Sequence, residues 1–206
     1  MNIVNGSSDS AINNFGDVPF IPNQIVTALL TEQTEEAEMF WKLLYYSEPD
    51  ALTKANLTKK QKKDCIWSGQ TLENNYHIFY KPLIGAALDS ANSQTQMRLY
   101  RTTTNPTSRL DALINFEVVF ITNEKESMVR YKGYWVERTD LIESLFLSVI
   151  NGRDLGVGVG TLKFDRELSR SCSSSLGISN SKTFYGRTLI LGLRFMGADS
   201  DDRYCG

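Results

Sequence analysis

Histidine is almost missing from this 206-residue chain, with His77 its one example. A histidine metal site therefore lacks ligands, and a histidine-based acid–base or nucleophilic centre lacks the partners it needs. Cysteine is scarce too: Cys65, Cys172 and Cys205 are odd in number and far apart. That excludes a disulfide framework and a Cys-x-x-Cys metal knuckle, and predicts reduced thiols, one buried and two in polar surroundings. No apolar run approaches the roughly 20 residues a membrane helix needs; the best is Leu145-Phe146-Leu147-Ser148-Val149-Ile150. The opening residues, Met1-Asn2-Ile3-Val4-Asn5-Gly6, lack a basic region followed by an apolar stretch, so no secretion signal is expected. The glycosylation-type triplets Asn5-Gly6-Ser7 and Asn56-Leu57-Thr58 carry little weight without one. An excess of basic charge is also missing. The 22 Lys and Arg face 24 Asp and Glu, for a net charge of −2, which removes the broad electrostatic footprint of a protein that grips phosphates.

What is present is ordinary globular material, 41% apolar and 22% charged, too hydrophobic for a disordered chain. The length suits one domain with an extension, and a soluble intracellular or assembled protein is expected. Residues 1–23 are predicted to be a mobile arm. The segment up to residue 17 is small and polar, and Pro19 and Pro22 bracket an extended Phe20-Ile21. Residues 24–71 read as a helical region. Thr34 before Glu35-Glu36 is a hydroxyl cap followed by carboxylates that favour the helix dipole, and Ala37, Phe40, Trp41 and Leu44 repeat on one face until Pro49. A second helix opens at Thr58, with Gln61 completing a capping box, and is expected to run through Cys65, Ile66 and Trp67 to Gly69.

Residues 72–196 read as the α+β core. His77-Ile78-Phe79-Tyr80 and Met97-Arg98-Leu99-Tyr100-Arg101 are strand-like, and Thr102–Ser108 reads as a polar loop. Ile114, Phe116, Val118 and Phe120 alternate with Asn115 and Glu117, before a turn at Asn123-Glu124-Lys125-Glu126. A helix over roughly 138–151 carries Leu141, Ile142, Leu145, Phe146, Val149 and Ile150 and ends at Asn151-Gly152. Thr161–Asp165 is a strand candidate, Ser169–Ser175 a flexible serine-rich loop, and Leu189, Leu191, Leu193 and Phe195 mark the last strand. Residues 197–206 form an acidic tail with Asp199, Asp201 and Asp202. The expected architecture is an antiparallel sheet with one long helix on a face. Its other face is partly polar and available to neighbours, and the N-terminal helices cover an edge or form a small subdomain.

Chemistry finds little foothold in these residues. Gly156-Val157-Gly158-Val159-Gly160-Thr161 follows a helix and precedes a strand, the reverse of a phosphate loop, and no Gly-Lys-Ser/Thr follows it. The carboxylate pairs Glu35-Glu36, Asp201-Asp202 and Asp165/Glu167 sit at a helix start, a tail and a strand end, without the apolar setting that raises a pKa. Lys59, Lys60, Lys62 and Lys63 crowd the first turns of their helix against its dipole. A solvated face is the simpler reading, a phosphate site or an acidic surface of another subunit the alternatives, and with Arg98, Arg101 and Arg109 these lysines are the candidate subunit or DNA-channel contacts. Arg98, Arg101 and Arg109 line a loop and its flanking strands, where they are solvated or meet an acidic partner or phosphate. No catalytic, cofactor or metal residue is assigned.

Three segments taken in order carry a resemblance. They are Phe40–Tyr46 with Pro49-Asp50-Ala51-Leu52 and Asn56-Leu57-Thr58; Met97–Tyr100 with Ile114–Phe120; and the helix near Arg138 leading to Gly156–Asp165 and Phe184–Leu189. Together they resemble head–tail neck and tail-terminator proteins of tailed bacteriophages. The resemblance implies an α+β protomer in a virion ring, usually sixfold, that caps the tail tube on its head side. Its partners would be further copies of itself and neighbouring neck, tube or sheath proteins, with genome DNA passing through unread. A slightly acidic protein suits a lumen in which DNA must slide, because cations there would hold phosphates. A baseplate or tail-completion protein of the same particle shares these features. The reading from a different class is a small enzyme or nucleotide-binding module.

Overall fold

The computed structural model describes residues 15–69, 76–82, 95–106, 111–156, 161–172 and 184–196. Residues 1–14 of the expected arm, Arg109, most of the glycine run, Ser173–Ser175 and the acidic tail lie outside them.

Two long strands built on period-2 patterns form the centre of the fold. β1 (Ile78–Phe79), β2 (Thr95–Pro106), β3 (Asp111–Asn123), β6 (Lys163–Phe164) and β7 (Phe184–Met196) make one sheet in the order β1-β2-β3-β7-β6. Every pairing is antiparallel except β1 with β2. The register sets Phe116 opposite Leu191 and Val118 opposite Leu189 and Leu99, so one face is a continuous apolar layer. A slip by one residue would turn all of it outward. β2 runs on through Thr102–Pro106, where the sequence suggests a loop. An irregularity between Arg101 and Thr104 lets this polar stretch stay paired with β3.

Helices α1 (Ile21–Thr31), α2 (Glu35–Tyr45) and α4 (Arg138–Ile150) cover that face. Phe146 of α4 packs edge-on against Phe120 of β3 at 5.4 Å between ring centres, and against Phe40 of α2 at 6.0 Å. Trp41 is fully buried and donates its indole N–H to the Leu29 carbonyl at 3.1 Å, tying α2 to α1. One core contains residues of all three helices and the sheet, so the N-terminal helices are part of the main body and not a subdomain.

The caps behave as written in the sequence. Thr34 Oγ1 accepts from Ala37 N, and Thr58 with Gln61 forms the full capping box of α3 (Lys59–Asp64). That helix stops at Asp64, short of the expected Gly69, because Ile66 leaves it to form a parallel bridge with Ile78. The expected arm is also shorter at its inner end. Phe15–Phe20 is a 3-10 turn, and Val18, Ile21 and Pro22 are buried. Pro22 lies in the first turn of α1, where an absent N–H breaks no helical bond. Arg166–Cys172, partly read as loop, is a short helix, α5.

The second face of the sheet is partly polar, as expected, with Arg194 exposed at the β7 end and Tyr100 and Glu117 half-buried, while others of its polar residues are withdrawn from solvent. Gln96, Arg98, Asn115 and Thr188 are all buried, beside a small cluster of Val119, Ile121 and Phe184.

Candidate interaction surface

A second, two-stranded sheet stands outside the main one. β4 (Met128–Tyr131) and β5 (Tyr134–Glu137) form a hairpin whose turn residues Lys132 and Gly133 both have positive φ, 50° and 85°. Two such residues are what the mirror-image hairpin turn requires, and glycine supplies one of them without strain. Alternation decides what the hairpin shows. Val129 is fully buried against the core and Val136 packs on it, while Met128, Arg130 and Trp135 face outward. Tyr134 is 74% exposed, Trp135 53% and Met128 43%. Met128 and Trp135 share the outward face, and Tyr134, opposite Tyr131, is exposed at the hairpin tip on the other; apolar area of this size left in water suits a covering partner.

The hairpin is mounted firmly. Arg130 N donates to the Pro49 carbonyl at 2.8 Å. At the base, Arg138 is fully buried and spends its guanidinium on five backbone carbonyls. Nη1 donates to Leu43 (2.8 Å) and Tyr46 (2.7 Å), Nη2 to Ser47 (2.7 Å) and Glu48 (3.0 Å), and Nε to Glu126 (2.7 Å). These include the carbonyls that the end of α2 leaves unsatisfied, and a cation there also complements the helix dipole. Burial pulls the Arg138 pKa down, against the opposing pull of Glu126 and Glu48. The hairpin lies alongside α2, with Arg138 at that helix's C-terminal end and Arg130, Tyr131 and Lys132 near its first turn.

Between α2 and the hairpin tip runs an open cleft of about 720 Å³. From α2 it is lined by Glu35, Glu36, Glu38 and Lys42, from the hairpin by Arg130, Tyr131 and Lys132; Glu38 is paired with Lys62 and Lys42 donates to the Leu52 carbonyl at 3.2 Å. The Arg130 guanidinium sits 4.9 Å from the Trp135 ring centre and Lys132 Nζ 5.0 Å from that of Tyr131, both as cation–π pairs.

The residues singled out from the sequence are scattered. Lys59, Lys60 and Lys63 are exposed on α3, with Lys60 paired to Asp64 at 2.8 Å. Lys62 is not part of a solvated face: it is buried, ion-paired with Glu38 of α2 and 6.0 Å from the Trp41 ring centre. Arg98 and Arg101 are three apart on β2 and so point to opposite faces. Arg101 is exposed. Arg98 is buried over the Phe79 ring at 4.4 Å and donates to Gln96 Oε1 (2.8 Å) and the Pro82 carbonyl (3.4 Å), and burial lowers its pKa to about 10. The two arginines cannot act as one patch.

Four titratable groups among the described residues, His77, Cys65, Asp140 and Glu143, are engaged within the fold. His77 is buried, with Nδ1 2.9 Å from the Thr95 carbonyl. A carbonyl only accepts, so that nitrogen carries the proton, and burial holds the ring's pKa below 6.5. The Cys65 thiol is pushed up to about 12 by burial, which keeps it protonated and inert. Asp140 and Glu143, one turn apart on α4, are raised by burial, but Arg187 of β7 pairs with both and lowers them in opposition. That triplet fastens α4 to the sheet. Among the described residues, no group of three or more His, Cys, Asp or Glu side chains is placed to hold a metal ion, and no helix is long and apolar enough to cross a membrane.

Sequence reasoning passed over the hairpin. Its signal was present in Met128-Val129-Arg130-Tyr131, Lys132-Gly133 and Tyr134-Trp135-Val136-Glu137, two β-prone runs of four flanking a two-residue turn with glycine. Compared with protein-family models, curated proteins and solved structures, the chain matches none.

Proposed function

We propose that this chain is a structural subunit of the neck of a tailed-phage particle, a tail-terminator ring protein that joins the tail tube to the head side. The reading rests on the resemblance of residues 35–195 to that family. The observation that carries it further is the rigidly mounted hairpin, which leaves Tyr134, Trp135 and Met128 in water. A protein that works by fitting beside others needs an apolar, pre-organised outer surface, and this one has it. The near-neutral charge is compatible with a lumen through which DNA slides.

Imaging tails assembled with and without the protein tests the reading. Tails lacking it are expected to grow to irregular length or stay open at the head end. Tails of normal length and normal joining would refute it, and antibody labelling at the far end would reassign the chain to the baseplate. Turnover of a substrate or tight nucleotide binding by the purified protein would replace the reading with an enzymatic one.

A further inference from the structure

The cleft between α2 and the hairpin sets the acidic first turn of α2 beside two cations of the hairpin, Arg130 and Lys132, and the exposed charges do not satisfy each other. Among the described residues, none of Glu35, Glu36, Arg130 and Lys132 takes part in an ion pair, although the chain's other exposed charges include close pairs such as Lys60–Asp64 and Lys54–Asp50. The two walls are held apart by fixed backbone. α2 is locked by its Thr34 cap and its Arg138 anchor, and the hairpin by Val129 and the Pro49 carbonyl.

A surface with an acidic strip beside a basic strip is complementary to itself. Turned about a two-fold axis, a second copy lays its basic strip on the first copy's acidic one and its acidic strip on the basic one. The same four side chains thereby serve twice. Trp135, stacked on Arg130 at 4.9 Å and half exposed, adds apolar area beside one of these charges, and covering it shields that ion pair from solvent and strengthens it. We propose that this groove is a contact between two copies of the chain, with Glu35 and Glu36 of one copy meeting Arg130 and Lys132 of the other, reciprocally. The inference goes beyond the ring reading and stands apart from it, since ring contacts are heterologous and a two-fold pair is an assembly of its own.

Two double variants test it by mass in solution at low ionic strength. Arg130→Glu with Lys132→Glu makes both walls acidic, and Glu35→Lys with Glu36→Lys makes both basic. Each alone is expected to weaken self-association by about a hundredfold or more, because like charges now face each other. Mixing the two variants restores the pair, since an all-acidic groove then meets an all-basic one. Should the wild type form rings through other contacts, each variant halves the mass of the assembly, so the pair and the ring are read separately. Lysine in the first turn of α2 opposes the helix dipole. Glu35→Gln with Glu36→Gln therefore serves as a milder version, expected to weaken pairing without reversing it. A wild type that stays monomeric, a double variant that pairs as well as wild type, or a mixture that fails to recover would each overturn the proposal.

Discussion

Replacing Arg138 with methionine isolates the chain's most heavily used side chain. Methionine keeps much of the stem's volume and removes the charge and all five donors. Five backbone carbonyls, at 2.7–3.0 Å from the guanidinium, then lose their partner in a buried place. Hydrogen bonds to a charged group contribute about 1.5–3 kcal/mol each, but a simple sum overshoots. Removing a buried arginine also removes its own desolvation cost, and part of the α2 end can turn to water. Breaking one partner of a buried charged arrangement costs about 3–5 kcal/mol in other proteins, and that is the expected loss here. Against a total stability of about 5–15 kcal/mol it is a large share. For a chain of this size it lowers the melting temperature by about 6–20 °C. Arg138→Lys keeps the charge but offers three donors from a single nitrogen, which cannot reach carbonyls on both α2 and the 124–126 turn, so it recovers only part of the loss. Equilibrium unfolding in urea measures all three proteins. A methionine variant within about 1 kcal/mol of wild type would refute the reasoning, as would a lysine variant indistinguishable from wild type.

Two further outcomes follow from the core. Phe146 bridges Phe120 and Phe40, so Phe146→Ala is expected to cost about 3–5 kcal/mol in the same urea assay, and a loss under 1 would show that the helices reclose over the gap. His77 has its pKa lowered by burial, so the unfolded chain binds a proton more readily than the folded one, and its contribution is fully present above pH 6.5 and lost as pH falls through and below it. Each pH unit in that window costs up to about 1.4 kcal/mol. His77→Gln, whose amide can still donate to Thr95, should flatten the stability profile between pH 7 and 5, and an unchanged slope would refute the assignment.

What the sequence disclosed and what it hid divide by the range of the forces involved. The Thr34 cap, the Thr58–Gln61 capping box and the alternation in β3 and β7 all act over a few residues, and each appears where the pattern puts it. The helix over 138–151 and its glycine stop are equally local, with Gly152 at φ 80°. Pro19 and Pro22 misled, because the residue before a proline tends to be extended, whereas here Pro19 lies inside the 3-10 turn and Pro22 in the first turn of α1, a position that suits proline. Thr102–Asn105 read as a loop for its polarity and the turn residues after it, although its three threonines are β-prone, and pairing of Thr104 and Asn105 with β3 keeps it extended. Lys62 and Arg98 read as surface residues by type. Glu38, 24 positions away, and the Phe79 ring determine that they are buried instead. The role of Arg138 was illegible for a plainer reason. Its partners are carbonyls, which every residue possesses, and four of them lie 90 or more positions upstream.

The same long-range contacts explain why the hairpin can be a recognition surface at all. An isolated two-stranded hairpin is marginal in water, and one with this much exposed aromatic area would gain by collapsing on itself or on the core. Here that is prevented at both ends. Val129 and the Arg130–Pro49 bond hold β4 down, Arg138 N donates to the Ser127 carbonyl at the base, and the buried guanidinium fixes that base to the end of α2. On the outward face Trp135 carries the Arg130 guanidinium at 4.9 Å and is still half exposed, so its ring can also answer to a partner. A partner that meets a surface already ordered does not have to supply the entropy of ordering it. Exposed Trp135 and Tyr134 are therefore better understood as the working end of an element whose cost of rigidity is met in the core than as aromatic residues that failed to find a place there.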